Sequence, residues 1–184
     1  MLVGRTSDAS AGNISGGGRA CAPEYAWHSL SRPPLYGSIV GGSMTLIEVV
    51  RSAWGFKGLV PVRILDINPF GNVLVEDAVG QVWRICPEEL SCEPVTETQQ
   101  GVHEIQSSDD WKMERMVELA TAALGAPGVE RCFCLKTPGV LGGEYAIGNV
   151  GTITVAELIA FSGDVASQIE DLPDGSKITF RVVD

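Results

Sequence analysis

Apolar and polar positions alternate with clear periods after Met44 and with none before it. Leu46, Val49, Val50 and Ala53 recur at helical spacing behind Thr45-Leu46-Ile47-Glu48, a capping-box pattern in which the Thr and Glu side chains each bond the other's backbone amide. This predicts a short helix closed at Gly55. Val60–Ile67, Val73–Glu76 and Gln81–Cys86 then read as strands, because β-branched residues run between turn-forming clusters at Asn68-Pro69-Phe70-Gly71 and Asp77-Ala78-Val79-Gly80. Short turns between consecutive strands imply an antiparallel meander. Pro87-Glu88-Glu89-Leu90 suits a single helical turn, with proline at its favoured first position.

The period returns to helical from Asp109 to Leu124. Ser108 can cap this segment, Asp109 and Asp110 complement its positive dipole end, and Met113, Met116, Val117, Ala120 and Leu124 form its apolar stripe. Gly125 and Pro127 stop it. Arg131–Lys136 follows as a strand and Gly139–Gly143 as a glycine-rich crossing. A third helix spans Val155–Ile169 behind Thr154 and Glu157, Leu172-Pro173-Asp174-Gly175 makes a tight turn, and Lys177–Val183 is a closing strand. Strands grouped early, with helices inserted rather than strictly alternating, indicate the α+β class. The expected architecture is an antiparallel sheet, meander plus closing strands, packed against about three helices.

Residues 1–43 have a different character. Gly16-Gly17-Gly18, Pro33-Pro34 and Gly41-Gly42 stand among scattered serines without any period, a composition that buries too little apolar surface to offset ordering entropy. The expected division is a flexible or disordered tail, 1–43, and one domain, 44–184. Either Met44 is the true start and the tail is translated upstream sequence, or the tail is a natural flexible leader.

Charge sharpens the division. Of 13 basic and 23 acidic groups, the tail holds Arg5, Arg19, Arg32, Asp8 and Glu24, leaving 10 basic and 21 acidic groups, a net of −11, after residue 43. Such a surface repels phosphates and anionic lipid and attracts basic partners. Nucleic acid and membrane are thereby poor ligands, and a basic protein is a good one. The opening residues have no apolar run for a secretory signal, and no stretch is long enough for a membrane span. By elimination, the expected location is the cytoplasm, unless the chain leaves by a route that needs no signal.

Candidate chemistry is sparse. Cys86, Cys92, Cys132 and Cys134 are spaced C-x5-C and C-x-C, outside the usual structural-zinc intervals, and Cys132 and Cys134 share one strand face. With Cys21 the cysteine count is odd, so a disulfide framework is not expected. His28 lies in the tail. His103 sits beside Glu104 in what reads as a linker, with no recognisable nucleophile context. The acidic pairs Glu88-Glu89, Asp109-Asp110 and Glu170-Asp171 read as solvated surface rather than hydrolytic dyads, since neighbours on a helix point apart. Gly139–Gly143 lacks the Lys-Ser/Thr of a phosphate loop. No catalytic residue, metal ligand or cofactor is therefore assigned.

A resemblance extends this reading. Asn68-Pro69-Phe70-Gly71-Asn72-Val73-Leu74-Val75 and Val82-Trp83-Arg84-Ile85-Cys86-Pro87-Glu88-Glu89-Leu90-Ser91-Cys92 look like the opening half of a bacterial family first catalogued as a domain of unknown function. Cys132-Phe133-Cys134-Leu135-Lys136-Thr137-Pro138, Leu141-Gly142-Gly143-Glu144-Tyr145, Asn149 and Gln168-Ile169-Glu170-Asp171-Leu172-Pro173-Asp174-Gly175 carry its second half. These motifs resemble immunity proteins that protect users of type VI secretion from their own deoxyribonuclease effectors. The resemblance covers 44–184 and none of the tail. It implies inhibition by binding, without catalysis, of a cognate nuclease toxin; the alternatives are a non-immunity protein-binding module of the same fold and a hydrolase using Glu88 or Glu144 with His103. A nuclease is expected to be basic where it grips the DNA backbone, which agrees with the acidic domain.

The candidate toxin-binding residues are accordingly acidic or lie in the family motifs: Glu170, Asp171 and Asp174 around the Leu172-Pro173 turn, Glu144 and Tyr145, and the pairs Glu88, Glu89 and Asp109, Asp110. The glycines of Gly139–Tyr145 suit either a fold requirement or an exposed recognition loop.

Overall fold

The computed structural model describes residues 44–173, 175, 176 and 178, together with two short terminal strands. In chain order the elements are β1 (Leu2–Gly4), α1 (Leu46–Trp54), β2 (Pro61–Ile67), β3 (Val73–Asp77), β4 (Val82–Cys86), β5 (Ser91–Thr96), α2 (Gln99–Ser107), α3 (Asp109–Lys112), α4 (Glu114–Leu124), β6 (Arg131–Leu135), β7 (Val150–Thr154), α5 (Val155–Ile169) and β8 (Thr179–Arg181). The α+β class is as expected, but the strands divide among sheets: β2-β3-β4-β5, β6-β7 and β1-β8. All pairings are antiparallel. Most of the segment read as a tail, with Cys21 and His28, lies outside the described residues. Its Leu2–Gly4 pairs with Thr179–Arg181.

The capping signals act as the sequence indicated. Thr45 and Glu48 form a capping box at α1, and Thr154 and Glu157 form another at α5. The meander strands begin and end within a residue of expectation, because their turns are fixed by side-chain bonds. Asn68 Oδ1 accepts the amides of Phe70 and Asn72, at 3.0 and 2.9 Å. Asp77 Oδ1 accepts those of Val79 and Gln81, both at 2.9 Å, and Oδ2 accepts the Trp83 indole. Burial raises the Asp77 carboxyl, but these bonds together outweigh it and hold the group below the usual range.

Several elements differ from the reading. The segment 87–90 is a hydrogen-bonded turn ending in Leu90 at φ 49°, not a helical turn. The stretch Asp109–Leu124 is broken at Met113, whose φ of 49° divides α3 from α4. The break lets Trp111 bury under the sheet while Met113, Met116 and Val117 pack with Ala120 against Phe70 and Phe133. Leu124, assigned to the stripe, is exposed. Besides β1, three elements were not foreseen. β5 contains Pro94, which is tolerated because β5 is an edge strand. α2 contains Gly101, where a Cβ would lie 2.1 Å from Thr96 Oγ1, and it places His103 on a helix rather than in a linker. β7 pairs with β6 immediately before the cap of α5.

The main core lies on one face of the four-stranded sheet. Val73, Val75 and Ile85 meet Val49, Val50 and Trp54 of α1 and Ile159 and Val165 of α5. The Trp54 indole donates to the Ile159 carbonyl at 3.2 Å. Strand β6 is buried on both faces: Cys132 and Cys134 point at Leu158 of α5, and Phe133 and Leu135 at Phe70 and Ala120.

Candidate functional site

Among the described residues, the other face of the four-stranded sheet is half covered. Leu74 and Val82 pack against Val102 of α2 and Trp111 of α3. The uncovered half floors a cleft of about 380 Å³. Its floor is Asn72, Arg84 and Cys86 with Ser91, Glu93 and Val95 of β5, residues that strand alternation places on one face. Its walls are the turn Glu88-Glu89, the α3 segment through Asp110 and Met113, and Tyr145.

Side-chain bonds run continuously along the cleft. Asn72 Nδ2 donates to both oxygens of Glu88, at 2.9 and 2.8 Å, and Asn72 Oδ1 accepts from Arg84 Nε at 3.2 Å and Nη2 at 2.9 Å. Arg84 Nη1 pairs with Asp110, and its guanidinium lies 5.7 Å from the centre of the Trp111 ring. The Cys86 thiol donates to Glu88 Oε2 at 3.4 Å, and the Tyr145 hydroxyl donates to Glu89 Oε1 at 3.0 Å.

Burial dominates the electrostatics at the base. Glu88 is 3% exposed, and desolvation lifts its carboxyl above the usual range; its own amide, Cys86, Asn72 and the Arg84 charge pull back only in part. Burial and the Glu88 charge push the Cys86 thiol up to about 12, which disfavours its thiolate form near neutral pH. Tyr145 is raised, first by desolvation and then by the charge of Glu88 and its bond to Glu89.

The structure brings together four of the nine candidate residues: Glu88, Glu89, Asp110 and Tyr145 line this one cleft. Glu88 corrects the reading of that pair as solvated, because it turns inward and is bonded to Asn72; Glu89 remains exposed. Asp109 sits exposed in the first turn of α3, and Glu144 is exposed beside Tyr145 without lining the cleft. Glu170 pairs at 2.8 Å with Lys57 and Asp171 is exposed next to it. Asp174 lies outside the described residues. His103 is exposed on α2 and lines no part of the cleft.

The loop that carries Tyr145 resolves the question about its glycines. A Cβ on Gly143 would lie 1.8 Å from the Thr137 carbonyl oxygen, so this glycine answers a close backbone approach. Asn149 locks the same loop, accepting the Thr137 amide and donating to the carbonyls of Thr137 and Glu144. Gly139 N donates to the Glu88 carbonyl at 2.7 Å, which ties the loop to the cleft.

Sequence reasoning missed Asn72, Arg84, Glu93 and Met113. Arg84 carried a usable signal, a charged residue between Trp83 and Ile85 in a strand. The register that sets it opposite Glu93 and beside Asn72 did not.

Residues 99–166 match the family model described as T6SS immunity protein Tdi1, C-terminal. The match supports a type VI secretion immunity protein. It spans α2 through most of α5 and so includes Asp110, Met113 and Tyr145 of the cleft lining. The other lining residues come from 72–95, outside the matched segment. No curated protein matches the chain. Among solved structures, the chain is similar to the crystal structure of Atu4351 from Agrobacterium tumefaciens, with 13% identity, a TM-score of 0.49, and coverage of 73% of this chain and 71% of that one. No described helix is long and apolar enough to cross a membrane.

Proposed function

We propose that this chain is an immunity protein that acts in the cytoplasm by binding a cognate type VI secretion toxin, a basic nuclease, and occluding it without performing chemistry. The observation that carries the reading is the match over residues 99–166, which supplies Asp110, Met113 and Tyr145 to the cleft lining. The chain's net charge of −10 supports the choice of a basic partner, because opposite charge speeds encounter and close packing then slows release. The raised Cys86 thiol and a cleft lining that does not include His103 favour binding over catalysis.

The test is co-expression with each candidate toxin encoded beside the gene, scored by survival and co-purification. Protection together with a stable complex is expected. Protection without a complex would point to chemistry performed on the toxin or its product, and no protection would refute the immunity reading.

A further inference from the structure

We infer that the cleft receives an arginine or lysine side chain of the partner protein, seated between the carboxylates of Glu89 and Glu93 with the Tyr145 ring as its apolar wall. The inference rests on the immunity reading and adds to it the contact chemistry.

Its first support is unbalanced charge within a shaped space. The cleft presents four carboxylates, Glu88, Glu89, Glu93 and Asp110, against the single guanidinium of Arg84. Arg84 is already committed to Asn72 and Asp110. Glu88 is turned inward onto Asn72. Glu93 stands directly across from Arg84 in the β4–β5 pairing, yet makes no ion pair or hydrogen bond among the described residues. Glu89 accepts the Tyr145 hydroxyl through Oε1, and its second oxygen is open among the described residues.

The second support is apolar surface beside those open acceptors. Val95 is 40% exposed and Tyr145 45%, both lining the cleft. A long cationic side chain matches this combination. Its aliphatic stem covers Val95 and the ring while its charged head reaches the carboxylates, and an arginine adds a bidentate bond and stacking on the tyrosine. An anionic group would meet repulsion, and an apolar anchor would strip water from carboxylates without replacing it. The volume of about 380 Å³ accommodates such a side chain with part of its flanking backbone.

The experiment uses the full chain and the toxin that passes the co-expression test. Glu89→Gln with Glu93→Gln keeps side-chain size and removes two charges. A control pair, Glu97→Gln with Glu118→Gln, removes the same net charge at exposed positions outside the cleft. The cleft pair is expected to weaken binding by about tenfold or more and to flatten the salt dependence of association, while the control changes it less than about twofold. Melting temperatures establish that both pairs fold. Should the double cleft variant unfold, Glu93→Gln alone, at an exposed and unpaired residue, replaces it. Equal affinity of the cleft variant and wild type overturns the inference and leaves the immunity reading intact. A wild-type chain that neither protects nor co-purifies overturns both.

Discussion

Replacing Asn72 with alanine removes the piece that makes the buried end of the cleft possible. Asn72 is 1% exposed, and its amide supplies two bonds to Glu88 and accepts two from Arg84. Alanine leaves a carboxylate that is 3% exposed without those donors. Bonds to charged groups contribute about 1.5–3 kcal/mol each, and removing one partner of a buried charge arrangement costs about 3–5 kcal/mol. Glu88 limits the loss by taking up a proton, which sets the expected cost for Asn72→Ala near the lower bound, about 3 kcal/mol at neutral pH. That corresponds to roughly 6–12 °C in Tm for a chain of this size. The pH dependence gives a second reading. Burial holds the Glu88 carboxyl above its unfolded value, so its contribution is fully present below the unfolded pKa of about 4.3 and is lost as pH rises through the folded pKa. Asn72→Ala raises that folded pKa further and extends the decline to higher pH, whereas Glu88→Gln abolishes this component. In a Glu88→Gln background the Asn72→Ala loss should shrink to about 1 kcal/mol, because no buried charge is left stranded. Urea denaturation of the four proteins across mildly acidic to neutral pH measures all of this. A loss below about 1 kcal/mol, or an equal loss in both backgrounds, would refute the assignment of Asn72 as the group that satisfies Glu88.

Further outcomes follow from packing and burial. Gly163→Ala should cost about 1–3 kcal/mol despite alanine's better helix propensity, since its Cβ would lie 2.5 Å from the Ala53 carbonyl oxygen and force α1 from α5; a stabilised variant in thermal melts would show that the helices separate freely. Burial, the leading cause in each case, pushes Cys92 and Cys132 up to about 12 and Cys134 up to about 11, so alkylation near neutral pH should track unfolding. Rapid native-state labelling of any of these thiols would contradict that burial. Elemental analysis should find no stoichiometric zinc, and chelators should leave Tm unchanged; one metal per chain would overturn the reading of these cysteines as core. A chain starting at Met44 loses the three-residue β1 pairing with β8 and should melt within about 4 °C of the full chain, since so short a strand contributes little; a larger drop would show that residues 1–43 stabilise the domain.

Elements whose causes are local were legible from their residues. Thr45 with Glu48 and Thr154 with Glu157 start helices through bonds between neighbours in the chain, and Asn68 and Asp77 fold turns by bonding amides two and four residues on. The strands between those turns needed only an alternating or β-branched run. Elements stabilised from a distance were not legible. β5 survives Pro94 because its outer edge has no partner among the described residues, α2 survives Gly101 because Thr96 fills the space beside it, and Met113 breaks a continuous helical pattern so that Trp111 and the α4 stripe can face different cores.

The same distinction runs through the site. The sequence by itself determined an acidic α+β chain with a meander and two strongly capped helices, because composition, caps and turns depend on residues close together. Tertiary structure alone decided that Glu88, Glu89, Asp110 and Tyr145 share one cleft, that Glu88 turns inward onto Asn72, and that Glu93 faces Arg84 with its carboxylate unpaired among the described residues. Those outcomes depend on strand register and on the Gly139 bond to the Glu88 carbonyl, contacts between segments far apart in the chain whose side-chain types alone do not specify a partner.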